Sequence, residues 1–123
     1  MGKEVSENMI SHTDCIEVYG FGSFFRGDQI YRDIDILLIH EDLTPTSCEK
    51  VIKCKHELLK MHENAHITLL SREEEKSFAF ILRSQSKYLG RVCNASLFQD
   101  IEKISREICK AIESFLQKNT AVN

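Results

Sequence analysis

The stretch from Asp33 to Ile39 constrains the fold more than any other part of this chain. Its second half, Leu37-Leu38-Ile39, is apolar at consecutive positions, which is typical of a strand buried on both faces of a sheet. In its first half, Asp33 and Asp35 stand two positions apart, so on a strand both side chains point to the same face. Two neighbouring carboxylates repel each other, and a divalent cation with oxygen ligands, Mg²⁺ above all, is a physical reason to hold them together.

A glycine-serine turn precedes this strand. Residues 15–21 alternate between apolar and polar side chains and are rich in strand formers, which predicts a first strand ending at Phe21. Glycine then lets the backbone turn sharply at Gly22-Ser23 before the chain crosses to the second strand. Free backbone N–H groups at such a turn, together with the Ser23 hydroxyl, suit the terminal phosphates of a nucleotide. Arg26 lies in the same turn region, where it would neutralise phosphate charge or hold the loop in place.

Composition narrows the class of protein. The chain has 123 residues, 42% hydrophobic and 28% charged, which favours a single globular domain with a buried core. A net charge of −3 argues against an extended nucleic-acid-binding surface. No apolar run approaches the ~20 residues of a membrane span, and the first residues lack the apolar core of a signal peptide. Five cysteines without a C-x-x-C pair predict reduced thiols in a cytoplasmic protein.

The sequence between Thr44 and Leu82 predicts a helix, then a strand, then a second helix. A helix starts around Thr44-Pro45, where Thr46 and Glu49 fit a capping box, and an apolar stripe at helical spacing follows. Residues 66–70 predict a third strand. Ser71 and Glu74 fit another capping box, opening a helix that holds the apolar residues Phe78, Ile81 and Leu82.

The last third of the chain predicts a helix end or loop at Tyr88 to Val92, with Gly90 as the stop, and then a long C-terminal helix over 97–118. The helix carries apolar residues at positions 97, 101, 104, 108, 111 and 115, with Phe98, Ile112 and Leu116 widening the stripe. A stripe this wide predicts packing on the domain's own core, and its spacing would also suit a partner helix. Residues 1–13 are predicted as a leading arm and 119–123 as a frayed tail.

The order of these elements predicts one small α/β (α+β) domain over residues 1–123. We expect a mixed sheet of three to four strands, with helices packed mainly on one face.

The residues of the turn and the second strand also resemble a known signature. Gly22-Ser23, nine further residues and then Asp33-Ile34-Asp35-Ile36 resemble the DNA polymerase beta-type nucleotidyltransferase superfamily. The extension Gly22-Ser23-Phe24-Phe25-Arg26-Gly27 is similar to the minimal nucleotidyltransferases. Those are short single domains often encoded beside a helical HEPN-type partner, in the manner of antitoxins. The signature covers about fifteen residues, and the predicted fold of the remainder agrees with it.

This resemblance implies a function. It implies Mg²⁺-dependent transfer of a nucleoside monophosphate, with AMP from ATP expected, to a hydroxyl on a partner protein or a small molecule. Gly22, Ser23 and Arg26 would bind the nucleotide, and Asp33 and Asp35 would be the catalytic carboxylates that hold the metal. An HEPN-type helical partner is implied as well, and a homodimer stays open.

One part of the family's site is missing. The family generally has a third carboxylate on the next core strand, where it serves as general base. Here His66 or Thr68 stands at that position, with Glu63 just before the strand and Glu73 to Glu75 just after it as substitutes. Two hypotheses follow: an active nucleotidyltransferase, or a catalytically degenerate, antitoxin-like interaction module that lacks the third carboxylate.

Two further sets of residues have simpler explanations than a site. The first set is Cys48, Cys54, His56 and His62. These resemble zinc ligands but do not share one helix face, so we expect no zinc site. Phe24 and Phe25 are candidates for stacking on a base, and packing in the core accounts for them at least as well.

Overall fold

The computed structural model describes residues 15–26 and 34–120, which form a four-stranded mixed sheet with its two long helices on one face. The strands are β1 (Cys15–Phe21), β2 (Ile34–His40), β3 (Ala65–Ser71) and β4 (Lys87–Cys93). The helices are α1 (Gly22–Arg26), α2 (Pro45–Met61), α3 (Arg72–Phe78), α4 (Phe80–Ser84) and α5 (Leu97–Thr120), and a 3₁₀ turn at Asn94–Ser96 leads into α5. The predicted small α/β domain with a mixed sheet is confirmed.

The sheet order is β3-β2-β1-β4, with β1 antiparallel to both of its neighbours and β2 parallel to β3. A parallel pair needs a crossover connection, which α2 supplies. As a result, the last residue of β1 lies beside the first residues of β2 and β3, at one end of the strands. Phe21 pairs there with Asp35, and Asp35 pairs with His66.

The main core lies between the sheet and the helices α2 and α5. It is formed by the side chains of β1 and β2 that alternate towards this face, such as Val18, Ile36 and Leu38, and by Leu58 and Ile104 from the two helices. All five are at most 1% exposed. Burying an aliphatic side chain of this size contributes roughly 1.5–3 kcal/mol, so this layer is the main source of stability.

A second, smaller cluster covers the opposite face of the sheet. Leu37, Ile39 and Leu70 are buried there, and Phe80 and Ile81 of α4 pack against them. The apolar run of β2 is therefore buried on both faces, as the sequence predicts for a strand inside a sheet.

The start of α2 differs from the prediction. The N-cap is Thr44, whose side chain accepts a hydrogen bond from Ser47 N, so the capping box predicted at Thr46 and Glu49 is wrong. Pro45 explains the difference, because proline lacks an N–H and its fixed φ suits the first helical position.

The helix predicted after β3 is confirmed at its start and broken near its middle. Ser71 and Glu74 form the predicted capping box. Ala79, at φ 49, then ends α3, and α4 begins at the next residue. The side chain of Glu75 accepts a hydrogen bond from Ile81 N at 2.7 Å and so links the two short helices.

The segment from Tyr88 to Val92 is not a helix end or loop but part of β4, which pairs with β1. Gly90 does not stop a helix. Its φ is +146, and a Cβ there would lie 2.8 Å from Ile104 Cδ1, so the position needs glycine for close packing of β4 on α5. The register shifts between Val18 and Tyr19, and no local sequence signal predicts that irregularity.

The C-terminal helix α5 packs on the core as predicted through Leu97, Ile101, Ile104 and Ile108. Phe98 and Leu116 were expected to widen the stripe, but they are 63% and 56% exposed. The predicted arm over 1–13 lies outside the described residues. Of the predicted tail, 119–120 belong to α5 and 121–123 lie outside the described residues.

The expectation of five reduced thiols is wrong for two of them. Cys15 and Cys93 are register partners on β1 and β4, and they form a disulfide across a sequence separation of 78 residues. Paired strands bring two cysteines together at a distance that spacing along the chain does not reveal. Cys48, Cys54 and Cys109 are free thiols.

Within the described residues, none of the helices has both the length and the apolar character needed to cross a membrane.

Breaking the disulfide is expected to destabilise the domain. The bond closes a loop of 78 residues, so Cys93→Ser should lower the free energy of unfolding by about 2–4 kcal/mol. Denaturant unfolding without reductant measures this change. Cys109→Ser, at an exposed free cysteine, is the matched control and should leave the midpoint unchanged. Equal midpoints for the two variants would contradict the stabilising role of the bond.

Candidate functional site

The turn after β1 brings Gly22 against the second predicted metal carboxylate. Phe21, the last residue of β1, pairs with Asp35, and the chain turns at Gly22 with φ +83. A Cβ added at Gly22 would collide with Asp35 Oδ2. The positive φ therefore favours glycine at this position, and a side chain there would also displace the Asp35 carboxylate.

Asp35 is the exception in β2. The other six residues of that strand are buried, whereas the Asp35 side chain is 27% exposed. The Asp35 carboxylate therefore lies at the one position where β2 reaches the surface. This position is directly beside the Gly22 turn. Its oxygens are the donor type that Mg²⁺ prefers, so this residue fits the implied metal.

His66 lies on the other side of Asp35. The two residues are register partners on β3 and β2, and His66 Nδ1 is 4.0 Å from Asp35 Oδ1. The His66 side chain is 71% exposed, so this contact is made at the surface. Thr68, the other residue predicted for this position, pairs with Leu37 and lies one row further into the sheet.

In the structure, His66 and not Thr68 is therefore the β3 residue that lies beside Asp35. Glu73 to Glu75, predicted as substitutes for a third carboxylate, follow β3 at the opposite end of a seven-residue strand, roughly 20 Å away. The carboxylates of Glu74 and Glu75 also accept hydrogen bonds, from Ser71 N and Ile81 N respectively. Glu63 is exposed in the turn before β3, at the same end of the sheet as Asp35.

The remaining predicted site residues are only partly described. Asp33, just before β2, lies outside the described residues, as do the side chains of Ser23 and Arg26. The pairing of Asp33 with Asp35 and the phosphate-binding roles of Ser23 and Arg26 therefore stay predictions. Within 15–26 and 34–120, no three His, Cys, Asp or Glu residues gather in a group that could hold a metal ion.

The two phenylalanines of α1 belong to the core. Phe24 is 4% exposed in the main core and Phe25 packs against it, with ring centroids 5.1 Å apart. The ring of Phe25 also fills the space beside Gly20, where a Cβ would lie 2.6 Å from it. Core packing accounts for both residues, and α1 is anchored by them next to Asp35.

Sequence reasoning missed a different set of aromatic residues on the face that carries Asp35. Tyr19 and Phe21 point to this face from β1, and Tyr88 pairs with Tyr19 from β4. The Tyr88 hydroxyl donates to Glu17 Oε1 at 2.7 Å, and burial together with this bond raises the pKa of Tyr88 to about 12. The alternation of side chains along β1 predicts that Tyr19 and Phe21 share this face. The position of Tyr88 beside them follows only from the pairing of β4 with β1.

A second polar cluster lies at the other end of β2. His40 is 5% exposed, and its Nδ1 is 2.9 Å from Ser47 Oγ, which also accepts a hydrogen bond from Asp42 N. Burial lowers the pKa of His40. These bonds fix the connection from β2 into α2, at the far end of the strand from Asp35, so we assign the cluster a structural role.

No family model, curated protein or solved structure matches this chain. The functional interpretation therefore depends on the residues and geometry given above.

The contact between Gly22 and Asp35 predicts a coupled effect on stability. Gly22→Ala should lower the free energy of unfolding by about 1–3 kcal/mol, because alanine is strained at φ +83 and its methyl group collides with the carboxylate. In an Asp35→Ala background the same substitution should cost less, by at least about 0.5 kcal/mol, because the collision is removed. Chemical denaturation of the four proteins of this cycle measures the difference. An equal cost in both backgrounds would contradict the contact.

Proposed function

We propose that this chain is a Mg²⁺-dependent nucleotidyltransferase of the minimal type. It transfers a nucleoside monophosphate, AMP from ATP in the expected case, to a hydroxyl on a partner protein or a small molecule. One observation carries the proposal: the carboxylate of Asp35 lies against the Gly22 turn, at the one surface position of an otherwise buried strand. A phosphate-binding turn and a metal-binding carboxylate need this proximity in order to act on one nucleotide.

Each residue has a role in this proposal. Asp33 and Asp35 would hold the metal ion, which neutralises phosphate charge and stabilises the leaving pyrophosphate. The backbone of Gly22 and the Ser23 hydroxyl bind the terminal phosphates, and Arg26 adds positive charge beside them. Phe24, buried in the core, fixes the position of this turn on the sheet. The oxygen of the acceptor hydroxyl would bond to the α-phosphorus as the bond from the α-phosphorus to pyrophosphate breaks, and the hydroxyl proton would pass to solvent water.

A second candidate function is favoured by the position of His66. The imidazole of His66 lies beside Asp35 on β3, the strand on which the resemblance leads us to expect a third carboxylate. Loss of a general base lowers rates by about 10²–10⁴-fold, so the domain would bind Mg²⁺ and NTP with little or no transfer. In that case it serves as an antitoxin-like interaction module, and its binding partner is a helical protein of the HEPN type. The same partner is the expected acceptor if the chain is active.

Cytoplasmic location belongs to the proposal as well, because NTPs are abundant in that compartment. The Cys15–Cys93 bond is the observation that opposes it, since stable disulfides are rare in reducing compartments.

An experiment with labelled ATP tests the transfer of the nucleoside monophosphate, and a separate experiment tests nucleotide binding. With α-labelled ATP, Mg²⁺ and the protein encoded by the neighbouring gene, we expect label on that protein and none with an Asp33→Ala/Asp35→Ala double variant. Glu102→Ala, at a carboxylate 63% exposed on α5, is the control and should label as the parent does. Calorimetry with Mg²⁺-ATP measures binding separately. Labelling that persists in the double variant would overturn the assigned metal site, and absence of both labelling and binding would overturn the function.

Replacing His66 by a carboxylate distinguishes the two candidate functions. If the chain is degenerate only at this position, His66→Asp should raise the rate of transfer by about 10²–10⁴-fold over the parent. His66→Asn is the matched control of similar size without a negative charge. If the parent already transfers NMP efficiently, His66→Asp should change the rate little, and the degenerate module is excluded. Binding of ATP by both variants confirms that they are folded.

A further inference from the structure

A row of aromatic side chains runs away from Asp35 across the face of the sheet that is opposite the two long helices. Phe21 lies directly opposite Asp35 in the β1–β2 pair, and Tyr19 follows on the same face of β1. Tyr88 on β4 is the register partner of Tyr19, and their ring centroids are 5.2 Å apart in an edge-to-face arrangement. The row therefore connects the candidate metal carboxylate with the edge strand of the sheet.

Only the inner part of this row is covered. Phe80 of α4 packs edge-on against Phe21 with ring centroids 5.0 Å apart, and it closes the surface over Leu37 and Ile39. Tyr88, at the outer end, is 50% exposed. A half-exposed tyrosine ring therefore lies next to the covered apolar cluster, one strand away from Tyr19, and we call this ring the platform.

The Tyr88 ring is held in place by hydrogen bonds. Its hydroxyl donates to Glu17 Oε1 at 2.7 Å, and Arg91 Nε donates to Glu17 Oε2 at 3.1 Å. Arg91 neutralises the charge of Glu17, so the platform itself carries no net charge. A ring fixed in this way loses little conformational freedom when a ligand stacks on it.

The distances suit one ligand. Tyr19 and Asp35 are diagonal neighbours on adjacent strands, about 7–8 Å apart, and Tyr88 lies one strand further, at a spacing of about 4.8 Å. An NTP whose phosphates lie at Gly22 and Asp35 is long enough to reach this position with its base. The charge distribution agrees, because the anionic end would meet the metal ion and the neutral base would meet the neutral platform.

We propose that Tyr88, supported edge-on by Tyr19, is the stacking platform for the nucleobase of the bound NTP. This inference rests on the proposed function, because it takes the phosphates to lie at Gly22 and Asp35. Stacking on an aromatic ring tolerates any base, so the platform contributes affinity and orients the sugar without selecting one nucleotide strictly.

The experiment compares two ligands that share their phosphates and differ in the base. Calorimetry with Mg²⁺-ATP and with Mg²⁺-tripolyphosphate is performed on the parent chain and on Tyr88→Ala. The variant should bind ATP about ten- to a hundred-fold more weakly and tripolyphosphate as the parent does. Tyr88→Phe keeps the ring and should retain most of the ATP affinity. Phe98→Ala, at an aromatic residue 63% exposed on α5, is the control and should change neither affinity.

The possible results separate the inference from the proposed function. If the parent binds neither ligand, the proposed function fails, and the platform fails with it. If the parent binds both and Tyr88→Ala binds ATP equally well, only the stacking inference is overturned. Equal weakening for both ligands also overturns it, since the effect is then on phosphate binding or on the fold. If ATP binding is unchanged but transfer slows, the surface holds the acceptor instead of the base, which likewise overturns the inference.

Discussion

The structure depends on the burial of β2 on both faces. Ile36 and Leu38 face the helices α2 and α5, whereas Leu37 and Ile39 face α4, and each of these side chains is at most 4% exposed. A strand of this kind is stable only when both faces are covered, because each exposed aliphatic side chain would forfeit roughly 1.5–3 kcal/mol. The two long helices on one side and the short α4 on the other meet this requirement. Both sides of the domain are therefore organised around β2.

This constraint explains the position of the candidate site. Since β2 is buried along the rest of its length, Asp35 can project only where the strand begins, beside the end of β1 and the start of β3. The same end of the sheet brings together the Gly22 turn, which needs glycine for its positive φ, and His66 of β3. A local contact, Asp35 against Gly22, thus depends on the register of the whole sheet. If the register shifted by one residue, the carboxylate would point into the core.

The elements with strong periodicity were predictable, and those that depend on distant partners were not. The strand ending at Phe21 and the strand centred on Leu37 were predicted within one residue of their bounds, because alternation and a continuous apolar run are local signals. The strand around Gly90 was missed, because its residues become a strand only by pairing with β1 and packing on Ile104. Ala79, which divides the predicted helix, has no sequence signal of its own, since alanine favours the helix interior.

By itself, the sequence determined the fold class, the Gly22 turn, and the face of β2 on which Asp35 lies, because turn chemistry and strand alternation are properties of short segments. Tertiary structure alone decided which residues meet across strands. It placed His66 beside Asp35, joined Cys15 to Cys93, and aligned Tyr88 with the aromatic side chains of β1. The physical reason is that strand order and register follow from how the whole chain buries its apolar surface, and no short segment carries that information.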